Sequence, residues 1–508
     1  MKTLQTLAAT ALVGIVPTTL CATTEPAQMV GLNGYTTDPI FTVGETVNGY
    51  TPLGVLDGMA AYAAEDSVRL VCNHELSSSL GAPYSLDNGT VLTGARISVF
   101  TIDKESREVV DAELAFGTIY NRAGEVVDAS SDLTFGGLNR LCSGYGVQAG
   151  QAGFVDDVYL TGEETGGGSM WALDVNGDAI WAAPALGVGG WEAATPLSIP
   201  SINETHVALL LGDDRGGAPL YLYIGEKDLT PGAGFLTRNG LATGKLYMWK
   251  SEGADQPSEF NGTGAKQSGK FVEVVNFDAD MAGQPGFDSL GYATQANLDG
   301  QRDALGAFRF SRPEDLHTNP YNGSQVIFNS TGRDLGFDNS DLWGTIYLID
   351  VKLNPAAVKK NVIEAKLTIS YDGDDYAMNG VIDPSFGVRS PDNLCWSLDH
   401  NAYIQEDRSI SAFGDSGEET SIWKLAPHTG DVLRVAQMDR SAIPAGQVDV
   451  DPSDLGDWES SGIIDVSEQF GAEKGSLFLF NVQAHSLRGG VIDSAGLVQG
   501  GQILFLNK

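Results

Sequence analysis

One short unit recurs along this sequence and restricts the folds open to it. The unit is a strand of alternating apolar and polar residues that commonly ends in Asp, Gly or Asn. It recurs at residues 98–103, 170–174, 246–250, 345–350, 422–425 and 502–506. Apolar runs bounded by turn residues lie between these units, whereas long amphipathic helical patterns are scarce, residues 354–366 being one possible stretch. The pattern predicts an all-β fold.

The repetition favours a β-propeller, in which each repeat is a small sheet around a central channel. About six blades are expected, within the usual range of four to eight, and a large β-sandwich is the alternative. Residues 226–310 are rich in Gly, Asn and Asp and are interpreted as inserted loops. No linker divides the mature chain, so residues 23–508 are predicted to form a single β-propeller catalytic domain.

The N-terminus predicts export. A charged start at Met1-Lys2 precedes an apolar stretch over residues 3–20, and small residues surround a cleavage point near Ala22. Residues 1–22 are therefore interpreted as a secretory signal peptide, which places the mature protein in the periplasm or outside the cell. Cleavage would leave Cys72, Cys142 and Cys395. An odd number of cysteines indicates a free or metal-bound thiol, and either a Cys72–Cys395 disulfide or two buried thiols is compatible with the sequence.

The charge balance limits the partners. The 508 residues contain 30 Lys and Arg against 66 Asp and Glu, for a net charge of −36. Such a surface repels nucleic acid and anionic membranes, so neither is expected as a partner of the mature chain. It also repels small anions, unless bound cations reverse the sign locally.

Polar clusters occur where the strand pattern predicts loops or strand ends. They lie at residues 73–75, 142–144, 161–164, 191–193, 212–215, 312–315, 390–393 and 417–419. Carboxylates suit calcium, and a thiolate among them indicates a transition metal. Loops of successive blades converge at one end of a propeller, where so many acids cannot all ionise without cations. The sequence lacks standard zinc motifs, nucleophile elbows and Walker loops.

The ordered clusters resemble the PhoX-type alkaline phosphatases. The resemblance rests on Asp57-Gly58-Met59, Cys72-Asn73-His74-Glu75, Cys142-Ser143-Gly144, Thr161-Gly162-Glu163-Glu164, Glu192-Ala193-Ala194, Gly212-Asp213-Asp214, Arg312-Pro313-Glu314-Asp315 and Ser390-Pro391-Asp392-Asn393-Leu394, and it extends to Glu459 and Asn481-Val482-Gln483. It implies a secreted β-propeller enzyme that hydrolyses phosphate monoesters and releases inorganic phosphate. It also implies iron (Fe³⁺) and calcium as cofactors, with a bridging oxo group.

The resemblance assigns roles residue by residue. Cys142 corresponds to the thiolate on iron, Glu192 and Glu314 to carboxylates that bridge iron ions, and Arg312 to a phosphate-binding catalytic residue. The calcium ligands it implies are Glu163, Glu164, Asp213, Asp392 and Glu459. The expected partner is a small phosphate ester, and the expected state is a monomer.

Two alternative functions are also compatible with the sequence. The first is another calcium-dependent propeller hydrolase, phytase-like or lactonase-like, which would need neither iron nor Cys142. The second is a non-catalytic propeller that calcium stabilises and that binds a partner through its loops.

Overall fold

The computed structural model describes residues 25–334, 336–378, 381–383 and 387–508. The predicted signal peptide, residues 1–22, lies outside these ranges. The described chain is mostly β, as the strand pattern predicts. None of the helices in the described ranges is both long and apolar enough to cross a membrane.

Most of the strands and helices are short, and the longest of those described is the strand Val158–Asp174. In chain order the strands are β1 Met29–Gly31, β2 Thr36–Thr42, β3 Leu56–Ala63, β4 Ser67–His74, β5 Tyr84–Ser85, β6 Val91–Leu92, β7 Arg96–Asp103, β8 Val109–Leu114, β9 Thr118–Tyr120, β10 Leu141–Val147, β11 Val158–Asp174, β12 Ala179–Ala182, β13 Val188–Pro196, β14 His206–Asp213, β15 Tyr221–Glu226, β16 Gly244–Ser251, β17 Lys266–Val274, β18 Pro313–Asn319, β19 Asn322–Ser330, β20 Thr345–Lys352, β21 Ile363–Asp372, β22 Ala377–Met378, β23 Val381–Ile382, β24 Pro391–Trp396, β25 Ala402–Glu406, β26 Ser421–Leu425, β27 Val432–Met438, β28 Val448–Asp449, β29 Trp458–Asp465, β30 Leu477–Ala484, β31 Leu487–Arg488 and β32 Gly500–Asn507. The α-helices are α1 Pro200–Asn203, α2 Phe235–Arg238, α3 Gln295–Leu305, α4 Pro355–Lys360 and α5 Gly490–Ser494.

Antiparallel meanders organise the sheets. The four-stranded meander β3-β4-β7-β8 comes first, and β24-β25-β26-β27 has β1 added at its outer edge. A further sheet, β29-β30-β32-β2, joins the two ends of the described chain, because β2 pairs with the C-terminal strand β32. Between them lies a continuous set of thirteen strands, β9 to β21, that contains the runs β10-β11-β12, β13-β14-β15-β16 and β18-β19-β20-β21.

The first strands of these meanders pack against one another. β3 contacts β10, β10 contacts β13, β13 contacts β18, β18 contacts β24, β24 contacts β29, and β29 returns to contact β3. These six strands therefore form a closed ring of neighbours at the centre of the molecule.

The apolar core lies between neighbouring sheets. In one cluster, Val71 and Ile97 of the β3–β8 sheet pack with Trp171 and Ile180 of the next sheet. Another cluster joins β19 and β20 to β24–β26, and a third joins β25–β27 to β30 and β32. Burial of these side chains, worth about 25 cal/mol per Å² of apolar surface, holds successive sheets together.

The interpretation of residues 226–310 as inserted loops is wrong. This stretch contains β16, β17, α2 and α3. Leu246 and Met248 of β16 pack in one core cluster, while Tyr247 and Trp249 pack in another. Both faces of β16 are therefore buried, and the many Gly and Asn residues serve the turns between these elements rather than one long loop.

Two smaller predictions have mixed outcomes. The possible helix over residues 354–366 is α4, which Asn354 caps by accepting hydrogen bonds from the N–H groups of Ala356 and Ala357. It ends at Lys360, and β21 follows from Ile363. Cys72 and Cys395 are both buried free thiols, and they do not form the disulfide that was the other possibility.

Candidate active site

A register shift occurs at a similar point in the first strand of successive sheets. Five of these shifts begin one residue before an acidic residue or a cysteine, and each places that side chain at the same end of the ring. The residues concerned are Asp57 in β3, Cys142 in β10, Glu192 in β13, Glu314 in β18 and Asp392 in β24. An extra residue in a strand bends it and re-aims the side chain, so these irregularities build the site. In β29 the shift lies at Gly462, three residues after Glu459.

These side chains form a chain of potential metal-binding groups. The described residues contain four groups, and within each the ligand atoms lie within 4.8 Å of one another: Asp57–Glu75–Cys142, Cys142–Glu164–Glu192, Glu192–Glu314–Asp392 and Asp392–Asp407–Glu459. Successive groups share Cys142, Glu192 and Asp392, so the chain is continuous. All the members except Asp57 line one cavity of about 570 Å³.

Without cations, ionised acidic groups in the cavity would leave uncompensated negative charge. Burial, followed by repulsion from neighbouring carboxylates, raises the pKa of Glu192 and of Asp392 well above its ordinary value. Burial likewise raises the pKa of the Cys142 thiol, and the nearest acid, Asp57, adds to the effect. Buried like charges at this spacing are costly unless a cation lies between them.

The donor set fits bound metal ions. Asp57 Oδ1 and Glu192 Oε1 are buried and have no hydrogen-bond partner among the described residues. Such orphaned acceptors are rare in proteins and call for a ligand. Carboxylate oxygens are the ligands that calcium prefers, and the Cys142 thiolate adds a soft ligand that suits a transition metal such as iron.

Two arginines border the acidic chain. Arg312 donates from Nε and Nη2 to the two carboxylate oxygens of Asp214, both at 2.7 Å, and its Nη2 lies 3.2 Å from Glu314 Oε1. Arg140 lies beside the first two groups, where its Nη2 is 2.7 Å from Glu75 Oε1 and also pairs with Glu164, whereas Arg312 lies beside the third group. Both arginines line the cavity and keep part of their side chain exposed.

Three buried asparagines hold the irregular strands in place. Each lies on the second strand of one sheet and donates from Nδ2 to a main-chain carbonyl on the first strand of the next. The pairs are Asn73 to Cys142 (2.6 Å), Asn329 to Asp392 (2.6 Å) and Asn481 to Asp57. In every case the accepting carbonyl belongs to a member of the acidic chain. These asparagines are positioning residues, since they fix the backbone from which the ligands project.

The structure brings together most of the predicted site residues. Cys142, Glu164, Glu192, Glu314, Asp392 and Glu459 belong to the four groups, with Arg312 beside them. Glu163 and Asp213 do not. The Glu163 carboxylate accepts hydrogen bonds from the N–H groups of Asn139 and Ser169, and Asp213 forms a two-bond ion pair with Arg215. Neighbouring residues of a strand face opposite sides, so each acidic pair supplies one residue to the cavity.

Sequence reasoning missed several members of the site. Asp57, Glu75 and Asp214 stand within the quoted motifs, but no role was assigned to them. Asp407 directly follows β25, and its only signal was an acidic pair at a strand end. Its neighbour Glu406 is fully buried in an ion pair with Arg389. Of these two adjacent acidic residues, Glu406 therefore has a structural role and Asp407 belongs to the site.

Comparison with known proteins decides the family. The sequence model of the family described as alkaline phosphatase PhoX matches residues 192–455, more than half of the chain. This chain belongs to the PhoX alkaline phosphatase family. The matched PhoX segment includes Glu192, Glu314, Asp392 and Asp407, and the resemblance inferred from the motifs is confirmed. The chain is therefore an enzyme, a phosphatase that acts on phosphate esters.

A solved structure shares the fold. Pseudomonas fluorescens PhoX, in complex with vanadate, a transition state analogue, is 15% identical, with a TM-score of 0.64 over 95% of this chain and 97% of that one. A luciferin-regenerating enzyme is 9% identical over 94% of this chain and 96% of that one, and its TM-score of 0.36 is too low to support a conclusion. None of the curated proteins compared matches this sequence.

Proposed function

We propose that this PhoX-family chain is an exported, metal-dependent phosphomonoesterase whose reaction takes place in the acidic cavity. The observation that carries the proposal is the continuous chain of buried and half-buried acidic groups and one thiol, with two arginines beside it. An unneutralised cavity of this kind would repel a phosphate ester, whereas a cation-filled one would attract it. All of these residues come from one chain, which agrees with a monomer.

The metal ligands proposed are the nine members of the four groups. Cys142, Glu192 and Glu314 would hold iron, and the carboxylates at the two ends would hold calcium, in line with the preferences of soft and hard ligands. When bound, such cations withdraw negative charge from a phosphoryl group and activate the attacking oxygen. Glu163 and Asp213, which have other partners, are left out of this proposal.

The arginines are proposed to bind and orient the phosphoryl group. A guanidinium carries five N–H donors, and the contacts of Arg312 to Asp214 use two of them. Asp214 thereby fixes the plane of the guanidinium, and its remaining donors can reach a phosphoryl oxygen. Such hydrogen bonds strengthen as the oxygens gain charge in the transition state. Arg140, fixed by Glu75 and Glu164, is proposed to do the same beside the first two groups.

We also propose that the six meanders are the blades of a β-propeller. The ring of contacts among their first strands, the apolar clusters between successive sheets and the pairing of β2 with β32 support this arrangement. A channel at the centre of the ring would explain why ligands from distant parts of the sequence meet. Export through a signal peptide at residues 1–22 is proposed from the sequence pattern alone.

Metal analysis and removal test this function. We expect the purified protein to contain iron and calcium and to hydrolyse p-nitrophenyl phosphate. Chelation of calcium should lower turnover by at least about a hundredfold, because the negatively charged cavity then repels the phosphate ester. Added calcium should neutralise the cavity and restore turnover. Elemental analysis and turnover before and after chelation measure this. Full turnover by metal-free protein would contradict the metal proposal, and calcium without iron would contradict the iron assignment.

The asparagine contacts give a second prediction. Asn481→Ala, which removes the contact to the backbone of Asp57 at one end of the chain, should weaken calcium binding by about 10- to 100-fold, as loss of groups that orient metal ligands usually does. Asn276→Ala is the matched control, because buried Asn276 also donates from Nδ2 to main-chain carbonyls but lies outside the four groups. Both variants should lose about 1–3 kcal/mol of stability. Calcium titration by calorimetry and thermal unfolding separate the effects, and equal calcium affinities in the two variants would refute the positioning role.

A further inference from the structure

One side of the cavity is apolar. Val55, Leu76, Leu80 and Val498 line the same cavity as the acidic groups, and apart from Cys142 and Gly456 the rest of its lining is polar or charged. Leu80 is 46% exposed, although it is large and apolar. An apolar surface beside a charged site is available for a ligand that has an apolar part.

The apolar side is connected directly to the acidic chain. The N–H of Glu75 donates to the carbonyl of Val55 at 2.8 Å, and the N–H of Arg140 donates to the carbonyl of Leu76 at 2.8 Å. Val55 is also two residues from Asp57, and Leu76 directly follows Glu75. These hydrogen bonds connect the backbone of the wall directly to residues that are proposed to hold metal and phosphate.

Two side chains of the wall meet beside Gly81. A methyl group placed on Gly81 would lie 3.1 Å from Leu76 Cδ1 and 3.7 Å from Val498 Cγ2. Residues that are far apart in sequence thus meet beside Gly81. With Leu80, which directly precedes Gly81 in sequence, they form an apolar patch of the cavity that Val55 also lines.

Two members of the wall have strained backbones. Val55 has φ of +56° and Val498 has φ of +74°, values that β-branched residues rarely adopt. The N–H of Gln499 donates to the carbonyl of Leu497 at 3.0 Å, which closes a tight three-residue turn around Val498. Strain of this kind clusters at functional sites, where the surrounding structure enforces it. Glycine would adopt both conformations freely, whereas valine at these two positions carries a backbone strain.

We infer that Val55, Leu76, Leu80 and Val498 form the subsite for the organic group of the ester, and that phosphate monoesters of apolar alcohols are the preferred substrate class. The inference rests on the proposed function. A monoester bound by the arginines has its alcohol group next to the phosphorus, and the wall borders the groups that would hold the phosphate. Transfer of an alkyl group from water to this wall stabilises the bound ester in proportion to its length.

A series of n-alkyl phosphates from ethyl to hexyl tests the inference. The parent alcohols have similar acidities, so differences in rate report contacts with the alkyl chain rather than leaving-group chemistry. We expect kcat/KM of the metal-loaded enzyme to rise by about two- to fourfold for each added methylene. A flat series with an active enzyme would overturn the subsite and leave the phosphatase function intact.

Variants assign the effect to the wall. Leu80→Ser should reduce the dependence on chain length, and adding Val498→Asn should nearly remove it; asparagine tolerates positive φ, so this change should not impair folding. Leu229→Ser is the control, because Leu229 is another exposed leucine, at 59%, and does not line the cavity. An equal loss of chain-length dependence in the Leu229 variant would refute the assignment.

Binding of n-alkylphosphonates separates this inference from the reaction. These compounds contain no ester bond, so calorimetry measures their affinity without turnover. We expect affinity to rise with chain length in the wild type and to rise less in Leu80→Ser. Graded affinity without hydrolysis of any phosphate ester would support the subsite and refute the proposed function. Uniform affinity across the series would overturn the subsite.

Discussion

Replacement of Cys142 with serine should lower phosphatase turnover by about a hundredfold or more. Cys142 is shared by two of the four groups, and it supplies the thiol of the acidic chain. Serine has nearly the same size, but its hydroxyl stays protonated near neutral pH and cannot replace a thiolate as an anionic ligand. The change therefore removes one charge and the soft ligand from the centre of the site while the packing around β10 is kept.

Metal content distinguishes this loss from misfolding. We expect Cys142→Ser to bind less iron and to lose any visible absorption due to a thiolate–iron bond. Cys395→Ser is the matched control, because Cys395 is a buried free thiol on β24 that lies outside the four groups. It should keep its iron and most of its turnover. A Cys142 variant with wild-type iron and turnover would favour a calcium-dependent hydrolase that needs no thiolate.

The acidic composition of the chain can be reconciled with the binding of a phosphate ester only if cations neutralise the cavity. With 66 acidic residues against 30 basic ones, the chain as a whole repels phosphate. The structure concentrates nine acidic or thiol groups in one chain of contacts, where burial makes uncompensated ionisation most costly. In the proposed function, the same acidic groups that repel the substrate would be the ligands of the cations that allow it to bind.

The β class could be predicted from the sequence because the alternation of apolar and polar residues is a local signal. The strands at residues 98–103 and 345–350 were recognised in this way and are β7 and β20. The error at residues 226–310 has a physical cause as well. The strand at residues 246–250, which is β16, was recognised by its alternation, but the turn-rich composition around it hid β17, α2 and α3.

The site was predictable in its residue types but not in its geometry. Glu163 and Glu164 are equivalent in sequence, and only the direction of each side chain in β11 decides that Glu164 faces the cavity. The register shifts that carry Cys142 and Glu314 depend on pairing with a second strand, which no local pattern records. The asparagine contacts could not be predicted for the same reason, since each connects two different sheets.

Replacement of Arg312 should have the other large effect. Arg312→Lys keeps the positive charge but loses the planar fork that binds both oxygens of Asp214 at 2.7 Å. Lysine would neither be fixed by Asp214 nor present several donors to a phosphoryl group. We expect kcat/KM to fall by about a hundredfold, the usual effect of losing an oriented donor to the transition state.

Arg215→Lys provides an unusually close control. Arg215 forms the same two-bond fork with Asp213, at 2.8 and 2.7 Å. Asp213 and Arg215 flank Asp214 in sequence, but neither of them lines the cavity. Both variants lose a fork to a buried aspartate, so their thermal stabilities should fall together. Only Arg312→Lys should also weaken inhibition by inorganic phosphate, because only Arg312 is proposed to contact it. Equal kcat/KM and equal phosphate inhibition in the two variants would assign Arg312 a purely structural role, and the binding of the phosphoryl group would then fall to Arg140 and the cations.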